Sequence, residues 1–163
     1  MKNNYSNQLE LIQKSIGYRF KNIQLLKQAL TTPRYGNEKG LPNYEILETI
    51  GDSVLKLIFS IKKYKEGVKD PGKLTKIKQQ LENDKTFKKI ALKYFNLVEY
   101  IYKSKDQQIY RTKILADVLE AICGAIYIDS NHSLETVESV IVDKFYFDWN
   151  KIIKDSQIFN KKI

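Results

Sequence analysis

Between residues 43 and 65 the chain carries Ile46, Leu47, Ile50, Val54, Leu55, Leu57, Ile58 and Ile61, with no proline and a single glycine, Gly51. Apolar residues at these offsets cover most of a helix circumference, which predicts a long central helix buried on most sides. Helical spacing continues nearly throughout, and alternating β-branched runs are few. A first helix is expected over about 6–16, with Leu9, Ile12 and Ile16 on one stripe and Gly17 as its stop. A second runs over about 22–31, capped by Asn22 and ended by Thr32-Pro33, and Gly36 to Pro42 read as a loop. Asp70-Pro71 opens another helix, with Asp as cap and Pro at the first position. A further helix starts near Asn83-Asp84 and stops near Asn96, a second central helix covers about 109–129, and the last about 133–154. With no internal repeat and no low-complexity linker, the expected fold is all-α: one compact multi-helix domain over 1–163.

A chain of 163 residues can bury a single full core. No apolar run approaches the ~20 residues needed to span a bilayer, and the polar start Met1-Lys-Asn-Asn-Tyr is no secretory signal, so an intracellular protein with no membrane association is expected. The lone Cys123 excludes an internal disulfide and cannot build a zinc site with the single His132. Net charge is +9, from 28 Lys and Arg against 19 Asp and Glu. That balance suits a nucleic-acid ligand and a merely solvated basic surface about equally.

Against this basic background, two stretches about 65 residues apart set acids among apolar residues: Glu45-Ile-Leu-Glu48-Thr-Ile-Gly51-Asp52 and Lys113-Ile-Leu-Ala-Asp117-Val-Leu-Glu120. At roughly 100° per residue, Glu48 and Asp52 lie within about 40° of each other, and Asp117 and Glu120 within about 60°. Unpaired carboxylates are costly to bury, and like charges repel. A divalent cation resolves both problems: Mg²⁺ takes oxygen ligands, usually one or two carboxylates with several waters. If the two central helices pack side by side, Glu48, Asp52, Asp117 and Glu120 converge on one or two Mg²⁺ ions, with Mn²⁺ as a possible substitute. The competing structural explanation is a buried acid paired with Lys56 or Lys113. Gly51 and Gly124 cost roughly 1 kcal/mol each relative to Ala inside a helix; close approach of the two backbones would account for them as a pair, although either alone is read as incidental.

Glu45-Ile-Leu-Glu48-Thr-Ile-Gly51-Asp52-Ser53-Val54-Leu55 resembles the signature segment of the ribonuclease III family, E-R-L-E-F-L-G-D-S/A-V-L. The later segment, Lys113-Ile-Leu-Ala116-Asp117-Val-Leu-Glu120-Ala121-Ile-Cys-Gly124-Ala125-Ile-Tyr127-Ile-Asp129, is similar to the family's second motif, K-x-x-A-D-x-x-E-A-x-x-G-A-x-Y-x-D. Upstream, Gly17-Tyr-Arg-Phe20-Lys-Asn22-Ile-Gln-Leu25-Leu26 resembles its opening helices, and Gly72-Lys-Leu-Thr75 and Asn83 also match. The likeness covers about residues 10–130 in the family's order. It implies a stand-alone catalytic domain of the type also found in Dicer. It implies an endonuclease hydrolysing double-stranded RNA to 5′-phosphate and 3′-hydroxyl ends with short 3′ overhangs. Glu48, Asp52, Asp117 and Glu120 match the metal-holding acids; Asp52, Glu120 and the less central Glu45 are the expected catalytic residues. The family pairs two such domains, which implies a homodimer.

Three departures from the family pattern stand out. Thr49 replaces the aromatic that enters the partner subunit in bacterial members. Pro71 stands where many members carry a further acid, and no double-stranded RNA-binding domain is recognisable after the last helix. RNA binding would then fall on the nuclease domain itself, with Lys73, Lys76 and Lys78 the candidate phosphate contacts and Lys85, Lys88 and Lys89 beyond them; duplex RNA is read mainly by shape and backbone. The alternative reading for each lysine is a solvated charged face. A non-catalytic relative binding structured RNA or a protein partner, and one half of a larger complex with a separate RNA-binding protein, are the other functions weighed. Cys123 and the sole tryptophan, Trp149, are expected in or near the core.

Overall fold

In the computed structural model, residues 2–81 and 83–158 are described; the ends of the expected domain, Met1 and residues 159–163, lie outside them. The described chain is helical, with one isolated bridge between Thr31 and Tyr102 and no strand. In order come α1 (Lys2–Ile16), α2 (Ile23–Ala29), α3 (Pro33–Lys39), α4 (Glu45–Lys65), α5 (Pro71–Leu81) and α6 (Asp84–Lys93). A 3-10 turn (Leu97–Glu99) and a long connection lead to α7 (Ile114–Asp129). Then follow α8 (Leu134–Val137), a π turn (Glu138–Val142), α9 (Asp143–Tyr146) and α10 (Trp149–Ile158). No helix among the described residues is long and apolar enough to cross a membrane.

α7 is the true centre. Of its residues only Glu120, Tyr127 and Ile128 escape full burial. α4 packs along it most extensively, and α6 and α2 cover other sides. The α4–α7 seam is set by two glycines. A Cβ on Gly51 would lie 1.7 Å from the carbonyl oxygen of Glu120, and one on Gly124 would lie 2.2 Å from that of Leu47. Neither approach tolerates a side chain. Beyond this seam, Phe59 stacks among Phe87, Phe145 and Trp149, and Cys123 is fully buried in the same core.

The expected caps are in place. The Asn22 side chain accepts from the Gln24 N–H, and Asp70 from the Lys73 N–H at 2.6 Å; Asn83, expected near a helix start, also caps, accepting from the Thr86 N–H. Four expectations need correction. The expected loop from Gly36 to Pro42 is helical up to Lys39, as part of Pro33–Lys39: Thr32 accepts from the Tyr35 N–H, Pro33 takes the first position, and Gly40 ends the helix at φ 65°. α7 begins at Ile114 rather than near 109, because Thr112 folds back on Ile109 in a turn that buries the isoleucine. The last expected helix is broken into pieces by the π turn and by a second turn at Phe147–Asp148. Finally, α4 is not buried on most sides: Ile46 is 60% and Leu57 48% exposed, with half-buried Ile50 between them on the outer face.

Candidate metal centre

The acid-bearing first turns of α4 and α7 lie against each other where the glycines let the backbones touch. One carboxylate oxygen each from Glu48, Asp117 and Glu120 falls within 4.8 Å of the other two. Asp117 is almost fully buried and held from two sides: the Tyr44 hydroxyl donates to it at 3.0 Å, and the Lys113 ammonium lies 3.2 Å away. Lys113 also reaches Glu48, at 3.4 Å. Tyr44 itself is fixed by donating its N–H to the Thr31 carbonyl and accepting one from Glu48.

The fourth expected metal acid stands apart. Asp52 lies one turn below Glu48 on α4 and pairs with Lys56 at 2.7 Å, outside the three-oxygen group. Its charge nevertheless acts on Glu120. The competing ion-pair explanation is thus partly realised, with Lys56 on Asp52 and Lys113 on Glu48 and Asp117. Glu45 is exposed at the start of α4, its backbone N–H donating to Asn43, and its charge acts on Glu48 and Tyr44.

Electrostatics make the cluster a proton trap or a cation site. Burial, then the charges of Asp52, Glu48, Asp117 and Asp84, push Glu120 up to about 8. Burial and the neighbouring Asp117 raise Glu48, with Lys113 opposing. Burial likewise raises Asp117 against the pull of Lys113 and Tyr44. Tyr44, buried beside Asp117, is raised far enough to remain a hydroxyl donor. Three hard oxygen donors that repel one another fit a divalent cation and nothing softer.

Asp84 was read from sequence only as a helix start. At the first position of α6 it adds negative charge felt by both Asp117 and Glu120. No spacing signal links it to either motif; the packing of α6 on α7 does. Pro71 brings no carboxylate. Lys73 and Lys76 are exposed on α5, whereas Lys78 is half-buried. Thr49 is exposed on α4 and turns its hydroxyl back to the Glu45 carbonyl, between Ile46 and Ile50.

Comparison with known proteins identifies the family. The model of the Ribonuclease-III-like family matches residues 22–147. Ribonuclease 3 of Campylobacter fetus is 36% identical over 151 residues, 88% of this chain and 64% of that protein. Ribonuclease 3 of Francisella philomiragia is 42% identical over 135 residues, 81% of this chain and 56% of its own length. The chain therefore spans little more than half to two thirds of these relatives. Among solved structures, the nuclease domain of ribonuclease III from Campylobacter jejuni superposes with a TM-score of 0.75 at 32% identity, over 85% of this chain and 94% of that one. A second structure of that domain, described for flexibility in the region involved in dimer formation, gives 0.73 at 33% identity, over 82% and 92%. With the family model covering most of the chain and the acids of both motifs set on α4 and α7, the protein belongs to the ribonuclease III-like family.

Proposed function

We propose that the protein is a divalent-metal-dependent endoribonuclease of the ribonuclease III type, whose nuclease domain cleaves double-stranded RNA as a homodimer, leaving 5′-phosphate and 3′-hydroxyl ends with short 3′ overhangs. The observation that carries this reading is the convergence of Glu48, Asp117 and Glu120, from helices far apart in sequence, within 4.8 Å. Glu48, Asp52, Asp117 and Glu120 would hold Mg²⁺, with Mn²⁺ as substitute. Bound there, the ion supplies Lewis-acid activation of water and stabilisation of the departing 3′ oxygen.

The chain's own residues do the remaining work. Tyr44 fixes the rotamer of Asp117, so that the buried carboxylate is oriented before any ion arrives, and Lys113 lies beside it as a counter-charge. Glu120 holds a proton near neutral pH and must release it to act as a ligand. Glu45 and Asp84 add negative potential at the rim. Lys73, Lys76 and Lys78 supply phosphate contacts, and the α4 face that exposes Ile46 and Leu57 supports pairing with a second copy.

Incubation of purified protein with long end-labelled duplex RNA, in Mg²⁺ and in EDTA, tests the reading. Metal-dependent shortening of duplex but not single-stranded RNA is expected, abolished by Glu120→Gln or Asp52→Asn. Binding without cutting in either Mg²⁺ or Mn²⁺ would sink it and leave a non-catalytic RNA-binding relative.

A further inference from the structure

Away from the acids, α2, α3 and the loop joining α3 to α4 enclose a cavity of about 320 Å³ whose lining includes Gln24, Lys27, Gln28, Tyr35, Leu41 and Tyr102. A second cavity, of about 200 Å³, shares Tyr35 and Tyr102 with the first. The two rings lie nearly parallel, 22° apart in plane with centroids 6.3 Å apart. Both are held by backbone: the Tyr102 N–H donates to the Leu30 carbonyl, the Tyr102 carbonyl accepts from the Thr32 N–H, and the Tyr35 N–H is tied to the Thr32 hydroxyl. The aromatic wall is therefore built before anything binds.

Lys27 supplies the second observation. It is half-buried on the cavity wall and has no ion pair among the described residues. An ammonium on the cavity wall with no counter-charge beside it favours an anion. Aromatic faces favour a planar ring laid against them, largely regardless of its identity. The amides of Gln24 and Gln28 offer donors and acceptors to polar ring edges; one Gln28 N–H is already spent on the Asn43 carbonyl. The volume sits at the small end of ligand pockets. A bare anion would make no use of Tyr35, and an uncharged ring would make no use of Lys27. One cation beside one aromatic wall matches a single phosphate attached to a base.

We infer that this cavity binds a nucleoside 5′-monophosphate group, with the base against Tyr35 and Tyr102 and the phosphate at Lys27, carried either by a free mononucleotide or by the 5′ end of an RNA strand. None of the acids lines the cavity, so this site does not depend on the nuclease reading.

Calorimetry on the full chain in EDTA, titrated with AMP, tests it. Saturable one-site binding is expected, weakened about tenfold or more by Lys27→Met and by Tyr35→Ala, kept by Tyr35→Phe, and unchanged by Glu120→Gln. Circular dichroism melts establish that each variant is folded. Inorganic phosphate at the same concentration should fail to displace AMP. A 5′-phosphorylated trinucleotide RNA binding as well as AMP, with its 5′-hydroxyl counterpart failing, assigns the site to RNA ends; AMP binding alone assigns it to free nucleotide. No binding of either phosphorylated species at millimolar concentration, or binding indifferent to both Lys27→Met and Tyr35→Ala, overturns the inference.

Discussion

Gly51 and Glu120 touch through their backbones: a Cβ added to the glycine would stand 1.7 Å from the glutamate's carbonyl oxygen. The obstacle is main chain, so no rotamer change can relieve it, and Gly51→Ala must move α4 away from α7. Overpacking costs about 1–3 kcal/mol and sometimes more; with two backbones to separate, a loss of at least about 3 kcal/mol is expected, together with loss of metal binding. Gly72→Ala is the control, because its Cβ would meet only the Asp70 carboxylate at 3.4 Å, and it should be neutral or stabilising by up to about 1 kcal/mol. Thermal melts and Mn²⁺ calorimetry read both effects. An unchanged melting temperature for Gly51→Ala would show that the seam opens freely.

That contact also explains what the sequence could reveal about the site. Helical offsets place Glu48 with Asp52 and Asp117 with Glu120, but only the pairing of α4 with α7 joins the two sets. The in-helix glycines were the local sign of that pairing. Asp52 illustrates the limit: the offset that lines it up with Glu48 also lines it up with Lys56, four residues on, and the lysine holds it. Asp84 was invisible because its proximity comes from a third helix. The fold shows the same division. Asn22, Asp70 and Asn83 acted as caps because capping is local chemistry. Thr32-Pro33, read as a helix end, is also a helix start, and the two meanings share one signature. Ile46 and Leu57 fit the apolar period of α4 yet face outward, since periodicity records residue type and not what covers it.

Glu120 gives the metal-free protein a pH-dependent stability. Its folded pKa is raised from the ordinary 4.5 to about 8. Across that window the folded state keeps a proton that the unfolded chain releases, so stability falls as pH rises and levels off above the folded value. Glu120→Gln should therefore stabilise the metal-free protein above pH 8, by about 1–3 kcal/mol after allowance for solvent screening, and change little near pH 4.5. Wild-type affinity for Mn²⁺ should rise by up to about tenfold per pH unit toward pH 8 as the competing proton leaves. Melts and calorimetry from pH 5 to 9 check both slopes. A flat metal affinity would show that Glu120 is no ligand.

Lys113 bridges Glu48 and Asp117 with its own charge, from a side chain that is 61% exposed. Such a pair contributes at most about 1 kcal/mol. Lys113→Met should lower metal-free stability by no more than that, at pH values where both acids are ionised. It should also raise Mg²⁺ affinity a few-fold, because a like charge beside the cation is removed. The opposite result, a tenfold loss of Mg²⁺ affinity by calorimetry, would make Lys113 an organiser of the acids rather than an occupant of their field.

The outer face of α4 exposes Ile46 and Leu57, at 60% and 48%. Large exposed apolar side chains aligned on one helix face favour association. Ile46→Glu and Leu57→Glu should each convert a dimer into a monomer at micromolar concentration in sedimentation velocity. Neither side chain is buried within the chain, so each variant should keep its melting temperature in the monomer to within the effect of about 0.5 kcal/mol. A wild-type protein that sediments as a monomer would leave double-strand cleavage without a second centre.

Lys73 and Lys76 project from the exposed side of α5, whereas Lys78 is half-buried there. If the first two meet phosphates, they act without regard to base sequence, and their contribution is the release of counterions from the RNA. Lys73→Ala and Lys76→Ala should then weaken duplex binding by a similar factor for unrelated sequences. Each should also reduce the slope of log affinity against log salt by about 1. Lys78→Ala should do less to the slope and more to stability, since the residue is half-buried. Fluorescence anisotropy with two duplexes of different sequence, in EDTA across a salt series, separates these outcomes. A variant that loses affinity for one duplex only, with an unchanged slope, would place that lysine on a base edge or on no RNA at all.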